Sequence, residues 1–467
     1  MGISPEYRDN RGAAAKRFEE MLKNDTPFFF DVEFFEEVVS YYFQTNKINK
    51  ALGATKKGLE QHPFSTELKY EQANALYALG EYGQAITILE GVLNVQPGEM
   101  DSSLLLADVK IAQQEYQEAI DLLISIEPLV FEDKDRLFLS LGRAYYGIGD
   151  VEKALDYYQQ ARVLNPKNDE ILIELASSFG SKEDIEKGIK ALESILDENP
   201  FDTHTWYNLG ILHDKNHTYE EAIDAFDYAL ALSKNFSSAH YNKGLSLMSL
   251  DRHLEALESF HQTLRHEKGS DLDLLINIAG SYLRIEDYQS AITYYKKIIV
   301  QQPNNHIALS GIGLCFYELE KWNEALHYTS KALEFAPTNI IYLFTKADTE
   351  YLIGHYTSAI EVYKKITDLE PLYIDAWINL SIVYADMYEY DTAAEVLQEA
   401  LIHNSQDGEL LYRVAANLIL AGNYKEAFLY LENALILDFE NHTVLFEAFP
   451  ELETQKALMK IIDQYKN

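Results

Sequence analysis

Apolar residues recur three and four positions apart in blocks of roughly 13 residues, and the blocks come in pairs. That spacing predicts amphipathic α-helices, each burying one face against its partner. One small residue marks the second block of every pair: Ala51, Ala85, Ala119, Ala154, Gly188, Ala222, Ala256, Ala291, Ala325, Ala359, Ala393 and Ala427. Successive members lie 34 residues apart, or 35 at Ala119–Ala154 and Ala256–Ala291. Twelve residues before each stands Val39, Ala73, Ala107, Gly142, Ala176, Gly210, Gly244, Ala279, Gly313, Ala347, Ser381 or Ala415. A small residue in each helix lets two axes approach closely, as ridges into grooves. An aromatic precedes the marker by three positions in most pairs, as at Tyr82, Tyr219, Trp322 and Tyr424. A proline often follows it by twelve, as at Pro63, Pro97, Pro200, Pro303, Pro337 and Pro371. It stops the second helix, because it lacks an N–H and disfavours helix before it.

This period resembles the tetratricopeptide repeat (TPR). The match is plain at 203–236, with Trp206, Leu209, Gly210, Tyr219, Ala222, Phe226 and Ala229, and at 374–407, with Trp377, Leu380, Tyr384, Ala393 and Ala400. Twelve units fill residues 32–441. The resemblance implies an all-α fold: a right-handed α-solenoid, or superhelix, of helix-turn-helix repeats. Residues 1–31 and 442–467 read as capping segments, with short helices over 12–23 and 452–465, because a repeat stack needs a polar cover at each end. Leu458, Ile461 and Ile462 are expected to face inward. Phe28, Phe29 and Phe30 read either as packing against the first repeat or as a patch for a partner. Lys110 and Glu350 depart from the family pattern, standing where it favours a large apolar residue. The extra residues of the 35-residue units, near Phe131–Lys134 and Lys268–Asp271, are expected to alter the superhelical pitch locally.

The resemblance also implies a concave groove lined by the first helix of each unit. At the lining positions stand Tyr207, Asn208, Tyr241, Asn242, Asn277, Tyr317, Phe344, Asp348, Tyr351, Asn379 and Tyr412. Asn208, Asn242, Asn277 and Asn379 hold the same place in four units. A primary amide donates and accepts, so this ladder can pair with a peptide backbone or tie neighbouring units together. Tyrosine offers a large surface with a polar tip. Some family members clamp a chaperone's C-terminal carboxylates with Lys, Asn and Arg. In the best-matching trio those places hold Tyr207, Asp273, Ile211, Asn242 and Asn277, which speaks against that role.

Composition narrows the partners. The chain has 467 residues, and 75 acidic against 39 basic residues leave it at −36. Such a charge repels a phosphate backbone and draws basic segments. The single cysteine, Cys315, excludes an internal disulfide and fits a reducing compartment. No apolar run reaches the roughly 20 residues of a membrane span. The start of the chain has no signal-peptide core. The simplest location is cytoplasmic. No phosphate loop, HExxH or CxxC occurs. His213 and His217 are four apart but have no further ligand beside them. No catalytic domain, metal or cofactor is expected.

The sequence therefore points to a non-catalytic scaffold or adaptor that binds a partner's extended or helical segment, with no nucleic acid and no membrane insertion. Three alternatives stand beside it: a holdase or assembly factor for unfolded or secreted clients, a structural subunit of a larger complex, and RNA binding.

Overall fold

The computed structural model describes residues 5–24, 29–130, 134–165, 171, 174, 181–266 and 271–466. Among the described residues every regular element is a helix. The chain forms two compact units, Met1–Lys234 and Asn235–Asn467.

The first unit begins with the helix Pro5–Asn24, whose Ala14, Ala15 and Phe18 are buried. Helix pairs follow: Val32–Gln44 with Ile48–Gln61, Thr66–Ala78 with Tyr82–Val95, Met100–Ala112 with Tyr116–Ile126, and Lys134–Gly147 with Val151–Leu164. Lys182–Glu198 comes next, and the pair Thr203–Lys215 and Tyr219–Leu232 closes the unit. The second unit holds Ser237–Ser249 with His253–His266, Leu272–Arg284 with Tyr288–Gln301, His306–Glu318 with Trp322–Phe335, and Ile340–Ile353 with Tyr356–Leu369. It continues with Ile374–Asp386 and Tyr390–His403, then Gly408–Leu420 and Tyr424–Leu437. It ends in short turns and the helix Lys456–Gln464, four residues later than the sequence suggests because a 3₁₀ turn at Pro450–Thr454 precedes it. Leu458 and Ile462 are buried there and Ile461 is half-buried.

The marker alanines sit at the closest approaches. Ala51, Ala85, Ala222, Ala291, Ala359 and Ala427 are each 0% exposed, so a larger side chain would push the paired helices apart. Prolines end the helices as expected: Ile48–Gln61 stops two residues before Pro63, and Trp322–Phe335 two before Pro337. Trp206 and Trp377 brace this joint, each donating its indole N–H to the carbonyl of the proline six residues before, at 2.8 and 2.9 Å. Side chains cap the helix starts, as Asp31, Ser65, Asp202, Asn339 and Asp407 do by accepting backbone N–H bonds. The turn inside each pair needs one left-handed residue. Gly80, Gly149, Gly354 and Gly422 supply it at no steric cost, and Asn46, Gln114, His217, Asp251, Glu286, Glu320 and Tyr388 supply it elsewhere.

The unit at 169–202 departs from the pattern. Its second helix starts at Lys182, three residues earlier than the period places it, because Ser181 caps it. The Ser181 Oγ accepts from the Asp184 N–H, as an N-cap does, and its hydroxyl donates to the Asp184 carboxylate. Ala176, Pro166, Phe28 and the extra residues at 131–133 and 267–270 lie outside the described residues.

Lys110 and Glu350 show how a charge enters an apolar position. Lys110 reaches the carboxylates of Glu115 and Glu118, and buried Glu350 pairs with the His355 imidazole at 2.8 Å. Each partner lies in or just after the turn that follows, so the Lys110 ammonium is ion-paired and the Glu350 carboxylate has a hydrogen-bonding partner.

Candidate functional site

In the first unit, Tyr207 is half-buried against the Phe226 ring, at a centroid separation of 5.9 Å. Asn208 is 3% exposed and donates to the His204 carbonyl one turn back, at 2.8 Å. Its amide therefore lies inside the helix packing, not on a face open to a ligand. The two histidines diverge: His213 bonds the Thr218 hydroxyl and His217 the Tyr219 hydroxyl.

In the second unit the asparagines turn towards their own chain. The Asn277 amide donates to the Tyr241 hydroxyl of the preceding repeat at 3.1 Å. The Asn379 amide donates to the Asp348 carboxylate of the preceding repeat, also at 3.1 Å. Asn242 is half-buried. Of the two uses open to the ladder, joining neighbouring repeats accounts for the donors of Asn277 and Asn379. Tyr412 is 0% exposed, and its hydroxyl donates to the Asp438 carbonyl at 2.7 Å, so no face of it meets solvent.

The four remaining positions gather with Asn379. Asp348 lies half-buried between the Tyr363 hydroxyl and the Asn379 amide, both of which donate to it. Phe344 sits edge-on to Tyr363 and Tyr373, at 5.9 and 5.4 Å. Tyr351 donates to the Asp386 carboxylate at 2.6 Å. Tyr317 is half-buried against Trp322. Burial lifts Asp348 above the usual carboxylate range despite the Tyr363 and Asn379 donors, and Asp375 nearby adds to the lift. Burial raises the Tyr317 phenol as well, and the charge of Asp348 adds to it. Among the described residues no lysine, arginine or histidine pairs with Asp348. The sequence pattern misses Tyr363, Tyr373 and Asp386. Tyr363 carries a signal that could have found it, because it stands sixteen residues after the small residue Ala347, on the helix facing it.

TPR family models match residues 136–168 and, in overlapping pairs, 173–238, 207–271 and 241–306. The chain is a tetratricopeptide repeat protein. A model described as anaphase-promoting complex, cyclosome, subunit 3 also matches this TPR protein, over 44–126 and 285–366. A TPR repeat-containing protein of Methanocaldococcus jannaschii is 23% identical over 423 residues, covering 83% of this chain and 72% of its own. The TPR repeat-containing protein YpiA of Bacillus subtilis is 21% identical, covering 91% and 90%. Anaphase-promoting complex subunit 3 of Schizosaccharomyces pombe is 19% identical, covering 56% and 39%. Among solved structures, YrrB, described as a TPR protein with an unusual peptide-binding site, is 22% identical with a TM-score of 0.35, covering 40% of this chain and 96% of its own.

The candidate site in this TPR protein is a half-buried carboxylate with aromatic side chains around it. Among the described residues no three His, Cys, Asp or Glu side chains group as metal ligands, and no helix is long and apolar enough to cross a membrane. What the surface offers is a carboxylate held by two donors, with aromatic edges around it. That suits a cation on a long side chain better than a small neutral ligand.

Proposed function

We propose that this TPR protein is a non-catalytic scaffold that holds a partner's basic segment against the first-helix face of its second unit. Asp348 receives a lysine or arginine of the partner. Tyr317, Phe344 and Tyr351 contact the aliphatic stem and the flanking residues. One observation carries the reading: Asp348 is half-buried with hydrogen-bond donors but, among the described residues, no cation paired with it. A partly desolvated carboxylate in that state gains most from a cation brought by another molecule. The net charge of −36 adds long-range attraction for the same kind of segment.

A second reading, a fixed subunit of a larger assembly, draws on the match to the anaphase-promoting complex subunit 3 model over two segments. Both readings are tested by affinity capture with the full chain, comparing wild type with Asp348→Asn and Tyr351→Ala after matching their helicity. A stoichiometric partner lost from both variants supports the scaffold. A partner retained by both moves the contact elsewhere and favours the subunit reading. A broad, non-stoichiometric set of proteins points to a holdase.

A further inference from the structure

A second surface lies at the amino-terminal end, far in sequence from Asp348. The helices Pro5–Asn24 and Ile48–Gln61 enclose a groove of about 610 Å³. Its floor is apolar: the edges of buried Phe18 and Tyr42, then Leu22, which is 50% exposed at the mouth. Gly53 opens the opposite wall, where an added Cβ would meet nothing within 4 Å. A glycine inside a helix costs roughly 1 kcal/mol against alanine, so here helix stability is given up at a place where the space stays empty.

The rim is basic in an acidic protein. Lys23, Lys50 and Lys57 stand around the mouth, with Glu19 the one carboxylate among the lining residues. The helix Ile48–Gln61 carries Lys50, Lys56 and Lys57 against Glu60 alone. The helix Pro5–Asn24 carries five basic residues against four acidic ones. Both walls are thus locally positive while the whole chain is at −36. Lys50 bonds Glu19 at 2.7 Å and lies 5.7 Å from the Tyr42 ring centroid, and Lys57 bonds Glu60 at 2.7 Å. The Lys50 and Lys57 pairs are solvent-exposed, so their cations can exchange carboxylates at little cost.

We propose that this groove docks a partner segment of opposite character to the one at Asp348: one large apolar side chain, placed over Phe18, Leu22 and the Gly53 gap, flanked by Asp or Glu that meet Lys23, Lys50 and Lys57. The apolar anchor supplies the affinity and the carboxylates select the segment. The two surfaces then read two signs of charge, and one partner can satisfy both only by carrying an acidic and a basic stretch.

The test uses the full chain on an array of 15-residue peptides, each with one large apolar residue flanked by glutamates. A matching array carries lysine for glutamate, and a third carries alanine for the apolar residue. The expected result is saturable binding to the first array only. Gly53→Leu, whose Cβ meets nothing within 4 Å and whose longer side chain enters the gap, weakens it at least ~10-fold at unchanged helicity. The double variant Lys23→Glu, Lys57→Glu weakens it and inverts its salt dependence, because salt then screens repulsion instead of attraction. Asp348→Asn leaves it intact, which separates this site from the other. Equal binding to the lysine array, no binding to any, or no effect of Gly53→Leu overturns the proposal. Concentration-dependent self-association abolished by Gly53→Leu overturns it too, by making a second copy of this chain the occupant.

Discussion

The ring of Phe226 occupies the place where a side chain on Gly210 would begin: a Cβ built there lies 2.5 Å from the ring edge. The same sixteen-residue relation sets Gly142 against Tyr158 and Gly244 against Phe260. Where the later position is leucine, as at Leu89, Leu123 and Leu431, the earlier one is Ala73, Ala107 or Ala415. In these six pairs glycine faces a ring and alanine faces leucine, whereas Ala279 and Ala347 face the rings of Tyr295 and Tyr363. Gly210→Ala should overpack this contact, costing ~1–3 kcal/mol against a helix-propensity gain of ~1 kcal/mol. Adding Phe226→Leu should recover part of the loss. The control has the opposite sign: Gly91, mid-helix with nothing within 4 Å of an added Cβ, should gain stability as alanine. Urea midpoints of wild type and the three variants decide it, and a stabilising Gly210→Ala would contradict the volume argument.

Tyr412 occupies a groove-lining place in the repeat yet works for the fold. Burial, with the Asp438 charge nearby, also holds its phenol above the ordinary value. Tyr412→Phe removes the bond to the Asp438 carbonyl and should cost about 1 kcal/mol. Binding at Asp348 should not change. A variant of undiminished stability that has lost a partner would return Tyr412 to the site.

The contrast between Tyr412 and Tyr207 marks how far the sequence could be read. Both hold the same place in the period, and the period located their helices and the turns beside them. The difference lies in the chain that follows. After Tyr424–Leu437 the backbone turns at Asp438 and covers Tyr412, whereas Tyr207 keeps part of its surface. Periodicity reports which way a residue points, not what is laid over it. The asparagine ladder shows the same limit. Its register was legible, but the choice between a ligand and the Tyr241 hydroxyl depends on a contact 36 residues away. The early start of Lys182–Glu198 was legible in principle, since Ser181 and Asp184 carry the capping pattern, but the strong 34-residue frame overrode that local signal.

Cys315 should be inert in the folded chain. It is 0% exposed, and burial pushes its thiol up to about 12. Only the thiolate reacts, so labelling by a disulfide reagent at mildly alkaline pH should run more than ~100-fold slower than in the urea-unfolded chain. Labelling then reports local opening of His306–Glu318. Fast labelling of the native protein would mean that this helix opens readily or that the thiol is accessible.

Asp348 links the proposed site to stability through pH. Burial raises its pKa above the unfolded value of about 3.9, so the folded chain holds this proton more tightly than the unfolded one. The stability from this group is therefore complete at low pH and is lost as pH rises through the window between the unfolded and folded values. The Tyr363 and Asn379 donors oppose the shift and Asp375 reinforces it, so the slope is a balance of all three with burial. Asp348→Asn removes the charge and keeps an oxygen for the Tyr363 hydroxyl. Its stability relative to wild type should rise as pH climbs from the unfolded value and level off once pH has passed the raised folded value. Urea midpoints of both proteins over that range measure it, and parallel curves would remove Asp348 from the argument. The same variant should bind basic peptides more weakly. A substitution that stabilises the fold while losing the ligand is what separates a residue kept for a partner from one kept for packing.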